Sequence, residues 1–89
     1  MSQECVVYFV QGEATRLIKI GMARRPELRV CDLQGASPDK LVFLGTTRRY
    51  SENALHRRFN HLRAHHEWFR PQPELLDFIS RVAVKPRAL

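Results

Sequence analysis

Apolar and polar positions fall along this chain in short runs bounded by turn residues, and the runs predict the element order β-β-α-β-α-α. Cys5 to Gln11 is dense in β-branched and aromatic side chains, while Arg16 to Met22 alternates polar with apolar residues. Both patterns suit strands. Gly12-Glu13-Ala14-Thr15 supplies a polar, glycine-containing connection, so the two runs read as a hairpin. Side chains alternate between faces along a strand. Val6, Tyr8 and Val10 therefore share one side of the first strand, and Leu17, Lys19 and Gly21 share one side of the second. Pairing would set the Tyr8 phenol near the Lys19 ammonium, with Gly21 leaving room for a phosphate. The plainer reading is an amphipathic hairpin with Tyr8 as packing.

Pro26 suits the first turn of a helix, where its missing N–H is not needed, and Glu27 suits the helix dipole there. That helix is expected to run to about Gln34 and stop at Gly35, with Leu28 and Cys31 toward the sheet and Arg29 on the flank. Lys40 to Thr47 reads as a third strand. Ser51 is a good N-cap, and Leu55, Phe59 and Leu62 form one apolar face of a helix expected to end near Ala64. Glu52 lies at the N-terminal edge of that face, with His56 one turn on. His65 to Phe69 is a connector whose large apolar residues fold back onto the core, Trp68 serving as an anchor rather than a base-stacking platform. A last helix follows Pro73, with Leu75, Phe78, Ile79 and Val82 as its apolar face, and 83–89 reads as a flexible tail.

Composition narrows the functional classes. The 89 residues make one small domain. No apolar run approaches the ~18 residues of a membrane span, and the start of the chain has no signal-peptide pattern. Two cysteines, Cys5 and Cys31, and no C-x-x-C argue against a disulfide framework or structural zinc. A cytoplasmic location away from membranes is the expectation. The net charge is +6, and twelve of the fifteen cations are arginines, whose planar fork matches phosphate oxygens. So basic a domain points to a nucleic-acid partner. Arg24, Arg25, Arg48, Arg49 and Arg57 are the candidate nucleic-acid contacts.

Phosphodiester hydrolysis needs a group to activate water, a cation for the developing charge, and usually a carboxylate-held metal. Tyr8, Arg29 and Glu52 supply those residue types, with Lys19 and His56 as further candidates. A single carboxylate suits Mg2+ or Mn2+ better than zinc. His61 and His65 have metal-ligand spacing, but no third ligand of matching type accompanies them. Each residue also has a plain structural reading: Glu52 on the helix dipole, Arg29 and His56 as solvated helix positions.

Five short motifs in order bear a further resemblance. Val6-Val7-Tyr8, Lys19-Ile20-Gly21, Arg29 eight residues later, Glu52 in S-E-N-A-L-H-R-R-F, and Glu67-Trp68-Phe69 resemble the GIY-YIG nuclease superfamily, specifically its small phage-type branch with KIG as second motif. The resemblance covers roughly Val6 to Ile79. It implies an α+β fold, a three-stranded antiparallel sheet flanked by helices, filling 1–82. It also implies a metal-dependent endonuclease acting on DNA, with Tyr8 as general base or water-orienting group, Arg29 as phosphate clamp, Glu52 as metal ligand and His56 as a second polar group. Lys19 stands where the second motif has tyrosine, Val6 where the first has glycine, and Leu33 where many relatives carry a histidine. Without a second DNA-binding domain, targeting would fall to a homodimer, a partner protein or a weak sequence preference. The rival expectations are a non-catalytic nucleic-acid-binding module and a small protein-interaction or inhibitor domain.

Overall fold

The computed structural model describes residues 4–85. Strands β1 (Val6–Gly12) and β2 (Ile18–Ala23) form the expected hairpin, and Tyr8 stands opposite Gly21, Val10 opposite Lys19. Helix α1 (Pro26–Ala36) returns to β3 (Leu41–Thr47), which pairs antiparallel with the other side of β1. Helix α2 (Glu52–Arg58) leads through a 3-10 turn at Asn60–Leu62 into β4 (Arg63–His65), β5 (Trp68–Phe69) and helix α3 (Pro73–Val82).

The α+β class holds, but the expected three-stranded sheet has five strands, in the order β3-β1-β2-β5-β4. The extra pair comes from a stretch read as the end of one helix and a connector. Helix α2 stops at Arg58 rather than near Ala64. Two residues, His66 and Glu67, then turn the chain between β4 and β5, with His66 in the left-handed region at φ 52°. The stripe Leu55, Phe59, Leu62 is nevertheless wholly buried, because the 3-10 turn keeps Leu62 on the inward side.

The sheet has two different faces. Val7, Phe9, Ile18, Ile20 and Phe69 meet Leu55, Phe59, Leu62, Leu75, Phe78 and Ile79 in one apolar core. Alternation puts Tyr8, Val10 and Lys19 on the opposite face, which α1 covers. That helix buries little of itself. Pro26 is buried and Val30 and Leu33 are half-buried, whereas Cys31 is exposed and Leu28 is 56% exposed. The expected inward pair Leu28 and Cys31 therefore faces away, because Pro26, Val30 and Leu33 make the true i, i+4, i+7 stripe. Nor does Gly35 stop the helix. It lies in the last turn, and termination follows at Ser37, whose N–H bonds the Gln34 carbonyl, just ahead of Pro38.

The tail expected over 83–89 begins with order. Val84 exchanges two backbone hydrogen bonds with Thr46, at 2.7 and 2.9 Å, and Ala83 packs on the core. Gly45 makes this possible. Its φ is +142°, and a Cβ there would lie 2.6 Å from the Val84 carbonyl oxygen. Residues 86–89 of the expected tail lie outside the described residues.

Candidate active site

Antiparallel register sets where the candidate residues can meet. Val6 pairs with Ala23 and Val7 with Thr47, so the start of β1 and the ends of β2 and β3 lie at one end of the sheet. From that end leave Arg24 and Arg25, which lead into α1, and Arg48 and Arg49, which lead into α2; all four are exposed. Arg29 sits in the first turns of α1, exposed, with its N–H on the Arg25 carbonyl. Glu52 is the first residue of α2 and is half-buried. Ser51 fixes that start by accepting a hydrogen bond from the Ala54 N–H at 3.1 Å. Among the described residues Glu52 makes no ion pair and no side-chain hydrogen bond.

Tyr8 lies third along β1 from the same end and is 1% exposed. The space expected at Gly21 for a phosphate is taken by the Tyr8 ring. A Cβ on Gly21 would fall 2.4 Å from both the ring Cζ and the hydroxyl oxygen. Glycine is thus required by the close approach of the phenol, and no hydrogen bond among the described residues engages that hydroxyl. Topology gathers Tyr8, Arg29 and Glu52 toward one end, although α1 and α2 start on opposite faces of the sheet.

Lys19 and His56 lie further in. Lys19, its side chain 10% exposed, forms an ion pair with Glu67 in the β4–β5 turn. Glu67 was visible in the sequence only as part of a motif; its pairing depends on β5 joining β2 with Trp68 opposite Lys19. His56 bonds through Nε2 to the Ile20 carbonyl at 2.9 Å and packs against the Phe69 ring, on the α2 side of the sheet rather than beside Tyr8. A carbonyl only accepts, so Nε2 carries the hydrogen. Arg57 is exposed beside it.

A family model, described as the T5orf172 domain, matches residues 5–83, nearly the whole chain. The chain belongs to the T5orf172 domain family. That domain is GIY-YIG-like, phage-type and nuclease-associated, and it suggests interaction with nucleic acid. No curated protein and no solved structure matches the chain. For the T5orf172 domain a side-chain-only metal cage has no candidate, since among the described residues no three His, Cys, Asp or Glu gather. Glu52, half-buried and without an ion pair among the described residues, is an oxygen donor of the kind an Mg2+-type ion would take. No described helix is long and apolar enough to cross a membrane. Both cysteines are free and exposed.

Proposed function

We propose that this T5orf172 domain is a metal-dependent endonuclease of the KIG branch that hydrolyses DNA phosphodiester bonds. The observation that carries the reading is the register. It brings the starts of α1 and α2, four exposed arginines and the strand of Tyr8 to one end of the sheet. Arg29 binds the non-bridging oxygens of the scissile phosphate through its planar fork. Tyr8 orients the attacking water or takes its proton. Glu52 would hold one Mg2+ or Mn2+, which when bound would supply positive charge to offset that on the phosphate. His56 anchors α2 to β2 and so positions Glu52 one turn away.

A second reading, a nucleic-acid-binding module without cleavage, draws on one feature. Lys19 replaces the second tyrosine and its charge is matched by Glu67. Supercoiled plasmid with Mg2+ or Mn2+ separates the two. Nicking is expected, lost to background in Glu52→Ala and reduced about 100-fold or more in Arg29→Ala. Salt-sensitive binding without nicking would favour the module, and absence of any binding at low salt would favour a protein partner.

A further inference from the structure

A hollow of about 430 Å³ opens beside α2, away from the covered face of Tyr8, lined by Asn53, His56, Arg57, Asn60 and Arg63. No carboxylate lines it. Asn53, His56, Arg57 and Asn60 recur at spacings of three, one and three, so they form the polar stripe of α2 and the turn after it, opposite Leu55 and Phe59.

The hollow is built to donate hydrogen bonds. Arg63 donates from Nε to Asn60 Oδ1 at 3.1 Å and from a terminal nitrogen to the His66 carbonyl, while its Cζ sits 4.9 Å over the Phe69 ring. The guanidinium is held in one orientation, with N–H groups to spare. Because Asn60 spends its oxygen on Arg63, its NH2 group remains as a donor. Arg57 adds a second guanidinium with no ion-pair partner among the described residues.

We propose that this hollow binds backbone phosphates of a nucleic-acid strand flanking the cut site. The proposal rests on the nuclease reading above and extends it. Asn53 directly follows Glu52, and the stripe continues from the Glu52 end of α2 past Arg58 into the 3-10 turn at Asn60 and on to Arg63. The strand would run from the Glu52 end of the sheet along this side of α2.

The test uses the full chain with a fluorescent DNA duplex and the matching single strand at low salt. In Asn60→Asp the new carboxylate still accepts from Arg63 but repels phosphate. It should melt near the wild-type temperature and bind at least about tenfold more weakly. Arg57→Gln should lower the salt slope of duplex binding by about 0.9. In the wild type the side-chain signals of Asn60 and Arg63 Nε should move in an NMR titration with the same strand. Wild-type affinity in both variants, or unmoved side-chain signals, overturns the subsite, and if the wild type still nicks plasmid the nuclease reading survives it. Stronger binding of polyglutamate than of DNA overturns the proposal in favour of an acidic protein partner.

Discussion

Gly21 and Tyr8 act as one unit. The ring occupies the space a side chain would need, at 2.4 Å from an added Cβ. Gly21→Ala must therefore displace a buried phenol, and about 1–3 kcal/mol of destabilisation is expected. For a domain this size that lowers the melting temperature by roughly 4–8 °C per kcal/mol, measurable by circular dichroism. The Lys19–Glu67 pair tests differently because its partners differ in exposure, 10% against 39% for the side chains. Glu67→Gln leaves the ammonium without its counter-charge and should cost about 1–2 kcal/mol, held down by solvent at Glu67. Lys19→Met should fall within about 1 kcal/mol of wild type. If Lys19 also touches phosphate, that same variant loses DNA affinity while denaturant unfolding barely changes.

Between elements, Asp39 joins the β1–β2 turn to the loop before β3. Its carboxylate accepts from the Ala14 N–H at 2.9 Å and from the Thr15 N–H at 3.2 Å. The Ala14 hydrogen bond, helped by those of Thr15 and Lys40, holds the Asp39 carboxyl below the ordinary carboxylate value. A lowered carboxylate pKa stabilises the folded state above the ordinary value of about 3.9, and the benefit fades as pH falls through the lower folded value. Amide exchange at Ala14 and Thr15, corrected for intrinsic rates, should accelerate relative to β1 across that acid window, and Asp39→Ala should abolish the difference. This tie was not legible in the sequence, since the two loops meet only once β3 pairs with β1. The hairpin, β3 and the inward face of α3 were legible because period-two and period-3.6 patterns repeat there. The β4–β5 pair was not: Arg63 to Phe69 contains no strand-length run, and its short pairing exists because Phe69 completes the core. Of the candidate site, Arg29 and Glu52 stand near helix starts as expected. Lys19 was read without Glu67, and the Asn60–Arg63 contact went unseen because it forms at a helix end the sequence placed later.

Across the whole molecule, charge is distributed by topology. With a net +6, the domain sends Arg24, Arg25, Arg48 and Arg49 from one end of its sheet. If each of those four meets one phosphate, they contribute about −3.6 to the log–log salt slope of duplex affinity, and replacing Arg48 and Arg49 by glutamine should make the slope shallower by about 1.8. The same architecture leaves one edge of the sheet only partly covered. Strand β3 lies at the rim of the sheet, where free N–H and C=O groups invite another chain to add on. Val84 already pairs with Thr46 on that rim through an isolated bridge, which occupies the Thr46 N–H and C=O that another chain would need. Shortening the chain to end at Ala83 should unblock the rim and raise light scattering at micromolar concentration, and a proline at Thr46 in the shortened protein should suppress it.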